Sequence, residues 1–437
     1  MFLLRNAIRD YAWGSATLLA ELQGRTPSGR PEAELWMGAH PGAPSGAVPA
    51  ADPSATPVPL DELIARDPQA LLGHAARFGR LPYLVKLLAA GRPLSIQAHP
   101  TLDQARAGFA AEQAAGIPIT AAHRNYRDDN HKPEMVLALT PFTALCGFRS
   151  PEDAARSFDR LAGALAEHFE GADAGPGTAA AALAATLRAG DLEAAFSTLL
   201  DPEGGWTAGA WVQDVVAALR RAPRVLEEDL NLSTAVGICE HYPGDAGVMV
   251  SVLLNRVDLA PGQAIHLPAG NVHAYLHGLG VEVMAASDNV LRGGLTPKHV
   301  DVDELRRVVR FEALPVPYCT PHADGAGRLV FRPPFEEFRL ERLDLPAATG
   351  ATLTANGPVI AVCTAGTVRI DSGHDSAVLT PGQSVFLGAT EDPAVVRPGD
   401  RDAAQDGTGD GTGAGTGTRT ADGAAATPGT LFAVTLP

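Results

Sequence analysis

The hydrophobic and polar positions of this chain follow two different patterns. From residue 1 to about 147, and again from about 237 onward, short apolar runs of strand length are separated by turn residues. Roughly residues 150–235 instead carry Ala, Leu and Arg at helical spacing, for example in 151–165 and 211–221. The pattern predicts a mainly β protein with a helical insertion, in which Ser150 caps the first helix.

Individual strands are predicted from apolar runs and turn residues. Pro133 disfavours helix and precedes an apolar run from Glu134, which indicates a buried strand. The run 248–257 is β-prone. Pro-Gly-Gln turns at 261–263 and at 381–383 each precede a strand-like run. Residues 431–436 are typical of a closing strand. Residues 399–428 are Gly/Thr-rich, and we expect a disordered loop there.

Two segments carry the spacing of a metal site. The first is G-x5-Q-x-H and ends in Gln97 and His99; the second is G-x5-P-x-G-x2-H and ends in His273. Because side chains alternate faces along a strand, Ser95, Gln97 and His99 share one face. Gln97 can therefore offer an amide oxygen and His99 an imidazole nitrogen to the same metal ion. His273 adds an imidazole nitrogen from another strand.

A fourth ligand is expected from Glu134. Burial of a carboxylate at the first residue of a strand costs free energy unless the carboxylate is paired with a cation or bound to a metal. Gln97, His99, Glu134 and His273 form a mixed nitrogen and oxygen set that suits zinc with one open position. Iron(II) and manganese suit the same donors, so the residues alone leave the metal open.

Composition narrows the function classes. The chain has 437 residues, 46% of them hydrophobic, and no apolar run long enough to span a membrane. The N-terminal apolar stretch is too short for a signal peptide, so a cytoplasmic location is expected. The net charge of −16 argues against a nucleic-acid partner and requires a local basic cluster for any anionic substrate. The four cysteines have no paired spacing and are expected to be reduced and buried.

Lysine is rare and placed beside the predicted site. Of 34 basic residues only Lys86, Lys132 and Lys298 are lysines. A retained lysine in a chain that prefers arginine indicates a place where a compact ammonium is needed. After His273 the chain also brings further charged side chains close together in sequence, namely Glu282, Asp288, Arg292 and Lys298. The Gly293-Gly294 pair permits a tight turn that directs Arg292 inward.

These motifs carry a resemblance to a known family. Residues 94–100, 130–134, 268–275 and 282–292, with 11–14 and 33–38 near the N-terminus, resemble the type I phosphomannose isomerases, zinc enzymes of the cupin superfamily. The resemblance extends from residue 2 to about 340. It implies one zinc ion bound by Gln97, His99, Glu134 and His273, with Arg292 as the catalytic arginine.

The resemblance also implies an architecture and a reaction. The expected fold has two cupin-like (jelly-roll) β-barrel units and an all-α domain. The expected segments are a catalytic cupin domain in two parts (1–147 and 237–325), a helical domain (148–236), and a metal-free cupin-like domain (326–437). The implied reaction interconverts mannose 6-phosphate and fructose 6-phosphate and feeds GDP-mannose synthesis or mannose use.

The chemistry assigns roles to side chains but leaves the base open. An aldose–ketose isomerase moves a proton between C1 and C2 through a cis-enediol(ate), which a Lewis acid and Arg292 can stabilise. Arginine is a poor base, so the candidates for proton transfer are His131, Lys132, Glu282 and Asp288. The expected substrate-binding set is Trp13, Glu34, Lys86, Ser95, Tyr275 and Lys298.

Two other classes compete with the isomerase. An Fe(II) cupin oxygenase uses a similar metal shell, although Gln97 and the dense basic and acidic surroundings disfavour it. A non-catalytic sugar-binding cupin need not keep Arg292 and Lys132 beside a full ligand set. For the isomerase we expect a monomer that binds a small sugar phosphate as substrate, with no nucleic acid and no membrane as partner.

Overall fold

The structure is a computed structural model, and it describes residues 1–169, 175–201, 209–325, 327–347, 350–355, 357–391, 393–399 and 428–437, with the side chains of 209 and 210 left out. The predicted disordered loop at 399–428 lies, apart from its two end residues, outside the described residues.

The described strands have these bounds: β1 (Phe2–Arg5), β2 (Ala7–Arg9), β3 (Glu34–Met37), β4 (Gly46–Pro49), β5 (Val58–Pro59), β6 (Tyr83–Ala90), β7 (Gln97–Ala98), β8 (Glu134–Ala138), β9 (Phe142–Phe148), β10 (Leu254–Leu259), β11 (Ala264–Leu267), β12 (His273–Ala285), β13 (Leu291–Arg292), β14 (His322–Ala323), β15 (Arg328–Phe331), β16 (Arg339–Leu345), β17 (Ala351–Leu353), β18 (Val359–Ala365), β19 (Val368–Asp371), β20 (Ser376–Leu379), β21 (Ser384–Leu387), β22 (Ala394–Pro398) and β23 (Gly429–Thr435).

The described helices are α1 (Leu18–Leu22), α2 (Leu60–Arg66), α3 (Pro68–Leu72), α4 (Leu102–Ala114), α5 (Pro151–His168), α6 (Gly175–Arg188), α7 (Leu192–Leu200), α8 (Gly209–Arg221), α9 (Pro223–Glu228), α10 (Leu230–Cys239), α11 (Gly247–Val250) and α12 (Val302–Val308), with short 3-10 turns at Gly73–Phe78, Ser251–Leu253 and Ala389–Glu391. None of these helices is long and apolar enough to cross a membrane.

The chain forms two compact units that are discontinuous in sequence. Unit 1 comprises Met1–Ala89, Val281–Ala286 and Cys319–Pro437, and unit 2 comprises Ala90–Gly280 and Ser287–Tyr318. The described strands form sheets without a closed barrel. The domain boundaries expected from the sequence stay predictions.

Unit 1 is mainly β. It holds a nine-stranded sheet in the order β14-β15-β16-β23-β18-β21-β1-β4-β5 and a four-stranded sheet in the order β17-β22-β19-β20. The strand predicted at 431–436 is confirmed as β23, which pairs antiparallel with both β16 and β18. Strands β2, β3 and β6 form a further antiparallel run in this unit.

Unit 2 combines the predicted helices with the strands of the metal motifs. Helices α5 to α10 confirm the helical stretch, and the Ser150 side chain accepts a hydrogen bond from the Asp153 amide, as a helix N-cap does. One large core joins these helices to Ile96 and Ala98. In the sheet, β9 and β7 both pair with β12, and β7 also pairs with β13. The strand predicted after Pro133 is confirmed as β8, which pairs with β11.

The β-prone run at 248–257 is only partly a strand. Gly247–Val250 is helical and Ser251–Leu253 is a 3-10 turn, so the prediction is wrong for 248–253 and right from Leu254. Val248, Val250 and Val252 are fully buried in the helical core. Tertiary packing on all sides therefore overrides the β preference of these valines.

The cysteine prediction is confirmed. Cys146, Cys239, Cys319 and Cys363 are all free and buried. Burial raises the pKa of the Cys146 thiol to about 12 and that of Cys363 to about 12, which makes these two thiols inert at neutral pH.

Candidate active site

Three of the four predicted metal ligands converge in unit 2. One ligand atom from each of His99, Glu134 and His273 lies within 4.8 Å of the others, and all three side chains are buried. His99 Nε2 is 3.4 Å from Glu134 Oε1, and His273 Nε2 is 3.3 Å from Glu134 Oε2. Glu134 is the first residue of β8, His273 is the first residue of β12, and His99 directly follows β7.

The buried donor atoms of this cluster fit a metal ion. Among the described residues, His99 Nε2, His273 Nε2 and Glu134 Oε2 have no hydrogen-bond partner. Buried polar atoms are otherwise almost always hydrogen-bonded, so three such atoms facing one another indicate coordination. The donor set of two imidazoles and a carboxylate is one that zinc accepts.

The outer ring nitrogens fix the imidazoles in the ligating form. His99 Nδ1 lies 2.8 Å from the Asn289 carbonyl oxygen, and His273 Nδ1 lies 3.1 Å from the Asn271 carbonyl oxygen. A ring nitrogen facing a carbonyl carries the proton and donates it, which leaves the lone pair on Nε2. Both Nε2 atoms therefore present lone pairs to the cluster.

The protonation states of the ligands are also favourable. Burial lowers the pKa of His99 to about 4, and the charge of Lys132 adds to this effect. For Glu134 burial acts to raise the pKa, but Lys132 and the two histidines outweigh it and hold the pKa well below its usual range. At neutral pH the cluster thus contains a neutral His99 imidazole and a Glu134 carboxylate, the forms that bind a metal.

Lys132 contacts the metal cluster directly. Its Nζ lies 2.6 Å from Glu134 Oε1, and the side chain is buried. A charge-assisted hydrogen bond of this kind orients the carboxylate and leaves its other oxygen for the metal.

Gln97 lies in one row with His273 and Arg292. In the antiparallel ladder Gln97 is paired with His273 on β12 and with Arg292 on β13. Directly opposed residues of antiparallel strands present their side chains on the same face. The fourth predicted ligand and the predicted catalytic arginine therefore share the face that carries His273.

A group of three cations forms beside this row. Burial lowers the pKa of Arg292, and repulsion from Arg127 adds to it. Partial desolvation also lowers the pKa of Lys298, which lies at an exposed position, with further repulsion from Arg292 and Arg127. Arg127 and Lys298 are exposed and Arg292 is partly buried, so this group of positive charges is accessible to an anion from solvent. The sequence interpretation missed Arg127, although it lies in the same charged segment as Lys132.

Unit 1 contains a separate buried ion cluster. Lys86 Nζ lies 3.2 Å from Glu34 Oε1 and 2.9 Å from Glu282 Oε2, and all three side chains are buried. Trp36 Nε1 donates a hydrogen bond of 2.7 Å to Glu34, and the Lys86 ammonium lies 5.4 Å from the Trp36 ring centre. Lys86, predicted to bind substrate, thus contacts both Glu34, from the same predicted set, and Glu282, a candidate for the proton transfer.

The remaining predicted residues have varied surroundings. Trp13 is partly buried and stacks on Tyr11, with 5.8 Å between ring centres. Tyr275 is fully buried, and its ring meets Phe142 edge-on at 5.3 Å. Ser95 and His131 are partly buried, and Asp288 is exposed.

A network of hydrogen bonds surrounds Asn289, which the sequence interpretation did not single out. Its Nδ2 donates to the carbonyls of Asp128 and Asn130, both at 2.8 Å, and its Oδ1 accepts from the Arg127 amide at 2.7 Å. Its own carbonyl faces His99. Asn289 therefore connects a metal ligand to the segment that carries Arg127 and Lys132.

This site and the sheets around it are those of a metal-binding protein whose ligands converge from separate strands. Residues 1–151 match the family model of the phosphomannose isomerase type I catalytic domain. The chain is 40% identical over 401 residues to mannose-6-phosphate isomerase of Escherichia coli (strain K12), covering 90% of this chain and 96% of that protein. It is 32% identical to mannose-6-phosphate isomerase of Rattus norvegicus over 424 residues, covering 90% of this chain and 94% of that one.

Solved structures agree with these relatives. Mannose 6-phosphate isomerase from Salmonella typhimurium, bound to its substrate fructose 6-phosphate and a zinc atom, superposes with a TM-score of 0.81 at 36% identity, covering 100% of this chain and 99% of that one. A zinc-bound holo form of mannose 6-phosphate isomerase gives the same TM-score, identity and coverage. The chain belongs to the type I phosphomannose isomerase family.

Proposed function

We propose that this chain is a zinc-dependent aldose–ketose isomerase that interconverts mannose 6-phosphate and fructose 6-phosphate. The observation that carries the proposal is the buried cluster of His99, Glu134 and His273, whose facing donor atoms lack hydrogen-bond partners among the described residues. The family supplies the substrate, because the matched Salmonella typhimurium enzyme holds fructose 6-phosphate and zinc together.

One zinc ion would be held by Gln97, His99, Glu134 and His273. When bound, zinc supplies a Lewis acid that polarises the sugar oxygens and stabilises negative charge on them. Gln97 enters the set through its ladder position opposite His273. Its neutral amide oxygen leaves the ligand set with a single formal negative charge, which keeps the centre electrophilic.

Arg292 stabilises the charge that develops during proton transfer. It lies opposite Gln97 in the ladder and is partly buried, so its guanidinium acts in a place where water screens it little. A guanidinium remains charged throughout and donates hydrogen bonds without giving up its proton. Arg292 thus binds the oxyanion and leaves the proton transfer to another group.

For the proton transfer we propose the set Lys132, His131, Glu282 and Asp288. Lys132 is the best placed of these, because its ammonium already contacts the ligand Glu134 at 2.6 Å. His131 precedes it in the same segment and is partly buried. Glu282 and Asp288 stay in the proposed set on the strength of the sequence motif alone.

The phosphate group fits the cation group of Arg127, Arg292 and Lys298. A sugar phosphate carries close to two negative charges at neutral pH, and a net charge of −16 otherwise repels it. Arg127 adds to the lowering of the pKa of both Arg292 and Lys298, and a dianion bound beside these cations would offset that repulsion. For the rest of the substrate we propose the residues inferred from sequence, namely Trp13, Glu34, Lys86, Ser95 and Tyr275.

We also infer the finer architecture and the setting of the enzyme. The proposed architecture has two cupin-like units and an all-α domain formed by α5 to α10, with the segment boundaries that the sequence pattern predicts. We infer a monomer that acts on a small sugar phosphate without a nucleic-acid partner. The four free, buried cysteines support a reducing, cytoplasmic setting.

A coupled assay separates this proposal from its alternatives. Purified protein with zinc measured by metal analysis is given mannose 6-phosphate, and fructose 6-phosphate formation is followed together with oxygen uptake. The proposal requires turnover with about one zinc per chain and no oxygen consumption. Oxygen uptake without isomerisation would identify an oxygenase, and binding of the sugar phosphate without turnover would identify a non-catalytic sugar-binding protein.

A further inference from the structure

The backbone between Arg292 and Lys298 adopts a conformation that needs external support. Leu295 has φ of 55°, and no other non-glycine residue among those described has a positive φ. It is also 1% exposed, within the core of unit 2. A branched side chain in the left-handed region costs about 1 kcal/mol or more, and such strain persists only where neighbouring contacts impose it.

The support comes from Asp245, in the segment between α10 and α11. Its Oδ1 accepts hydrogen bonds from the amides of Leu295 at 2.9 Å and Gly247 at 2.7 Å. Its Oδ2 accepts from the Thr296 amide at 3.1 Å. One carboxylate thus satisfies three backbone donors, two of them on the strained turn, and hydrogen bonds to a charged acceptor are the strong ones.

The turn is pressed against this segment with no room for side chains. A Cβ atom on Gly247 would lie 2.7 Å from the Leu295 nitrogen, and one on Gly294 would lie 2.5 Å from the Gly247 Cα. On its other side the turn is tied to the metal-site strand, because Ile96 exchanges backbone hydrogen bonds with Gly293 and Gly294. The turn is therefore fixed between Asp245 and the segment that carries Gln97.

The same segment also holds the approach to the first metal motif. The Tyr242 hydroxyl donates a hydrogen bond of 2.8 Å to the Pro93 carbonyl, two residues before Ser95. Residues 242–245 therefore contact both the chain leading to Gln97 and the turn after Arg292. No motif in the sequence assigns a chemical role to this part of the chain.

We propose that Asp245 is a positioning residue for the substrate's phosphate: it holds the Gly294–Thr296 backbone so that Arg292 and Lys298, at the two ends of the turn, stay together beside Arg127. Like charges repel one another in the absence of an anion, and a fixed turn limits how far the backbone positions of Arg292 and Lys298 can move apart. Asp245 does this without touching a metal ligand. The inference rests on the proposed function, in which these cations bind the phosphate.

Asp245→Ala tests the inference through the affinity for phosphate. We expect KM for mannose 6-phosphate and the competitive inhibition constant of inorganic phosphate to rise about tenfold, while kcat falls less and zinc stays at about one per chain. Asp245→Asn keeps an acceptor for Leu295 and loses the one for Thr296 together with the charge, and we expect a rise of about threefold. Hydrogen–deuterium exchange of a peptide covering 293–298 should accelerate in both variants.

Asp191→Ala is the matched control. Asp191 is also an aspartate of unit 2 whose side chain accepts from a backbone amide, that of Ala194, but it caps α7. Its loss should lower the melting temperature and leave KM and the phosphate inhibition constant unchanged. If Asp245→Ala does not fold, KM for mannose 6-phosphate and the phosphate inhibition constant of Asp245→Asn test the inference instead.

The outcomes separate this inference from the function on which it rests. If the wild-type chain neither isomerises mannose 6-phosphate nor is inhibited by phosphate, the proposed function fails. If Lys298→Ala weakens phosphate inhibition but the folded Asp245 variants do not, the function stands and the inference is overturned. Asp245 variants that lose only thermal stability and kcat, with KM unchanged, would likewise reduce Asp245 to a structural residue.

Discussion

Asn289 shows how one buried side chain connects the parts of the centre. The residue is fully buried, and all three of its side-chain hydrogen bonds at 2.7 to 2.8 Å go to the backbone of 127–130. Its carbonyl fixes the proton of His99 on Nδ1. A ligand and the Lys132 segment are thus held by the same residue, in the way that outer contacts tune a metal site.

Asn289→Ala should weaken zinc binding. The loss of the amide removes the hydrogen bonds to the Arg127 amide and the Asp128 carbonyl, which costs about 1–3 kcal/mol each. The Asn130 carbonyl keeps the hydrogen bond that the Ser287 hydroxyl donates. We expect zinc affinity to fall about 10- to 100-fold, as for the loss of other outer contacts of metal sites. Competition with a chromogenic chelator measures this affinity.

The control for this variant is Asn231→Ala. Asn231 donates from Nδ2 to the Leu254 carbonyl at 2.8 Å, away from the metal ligands, so its loss should lower stability alone. Equal zinc affinity in Asn289→Ala and Asn231→Ala would contradict the role given to Asn289.

The pKa of His99 makes the zinc-free protein sensitive to acid. An unfolded histidine has a pKa of about 6.5, whereas burial lowers that of folded His99 to about 4. Below pH 6.5 the unfolded state binds the extra proton first, so stability falls as the pH falls toward 4. The loss from this residue between pH 7 and pH 5 is about 2 kcal/mol.

Denaturant unfolding of the zinc-free protein at pH 7 and pH 5 measures this loss. His99→Gln removes the titrating group and should show a smaller difference between the two pH values. An identical difference in the wild type and in His99→Gln would show that His99 does not carry the effect.

At the scale of elements, the row across β12, β7 and β13 carries both the proposed fourth metal ligand, Gln97, and the proposed catalytic arginine, Arg292. Gln97 faces the same side as His273 and Arg292. We expect Gln97→Ala to lose zinc, since one of four donors is removed. Arg292→Ala should keep zinc and lose about 10²- to 10³-fold in kcat, the cost of removing one group that stabilises developing charge.

Zinc content and kcat are measured on the same preparations. Arg306→Ala is the control, because Arg306 is exposed and pairs only with Glu193 at the surface among its described contacts. Its removal should change neither quantity. Loss of zinc in Arg292→Ala, or full zinc in Gln97→Ala, would reverse the assignment of the two residues.

The sequence predicted those elements whose signal is local. Pro133 and the apolar run after it predicted β8. In the second metal motif Pro268 and Gly270 form the turn before His273, where Gly270 has φ of 77° and the Asn271 amide donates a hydrogen bond to the Pro268 carbonyl. The run 248–253 was predicted as strand but is helical, because its valines are buried among helices.

The residues that the sequence interpretation missed interact with residues that are distant in the sequence. Arg127 is distant in sequence from Arg292 and Lys298, and its electrostatic repulsion of these two residues arises from the tertiary structure. Asp245 lies 50 positions from the Leu295 amide that it binds. Neither residue stands in a spaced motif, so their contacts follow from tertiary structure and not from local pattern.

At the scale of the whole molecule, unit 1 joins distant parts of the chain. The Tyr83 hydroxyl lies 2.8 Å from the Pro358 carbonyl and 3.0 Å from the Val434 carbonyl, and the side chain is fully buried. Strand β1 likewise pairs with β21. The early and late segments of unit 1 therefore form one folded body, and neither is expected to be stable without the other.

Tyr83→Phe should destabilise the protein without affecting catalysis. The substitution removes the single hydroxyl proton that lies between these two buried carbonyls, which costs about 1–3 kcal/mol in the free energy of unfolding. Denaturant unfolding measures the loss, and KM and kcat should stay at wild-type values. Tyr318→Phe at an exposed position is the control and should change nothing. A Tyr83→Phe variant as stable as the wild type would contradict this account of the unit.

The central claim is that His99, Glu134 and His273, with Gln97, hold a zinc ion on which isomerisation of mannose 6-phosphate depends. The direct measurement follows turnover and zinc content together while a chelator removes the metal and stoichiometric zinc is then returned. The account predicts that activity falls in proportion to the zinc removed and returns with it. Full activity in protein shown by metal analysis to be free of zinc would contradict the account.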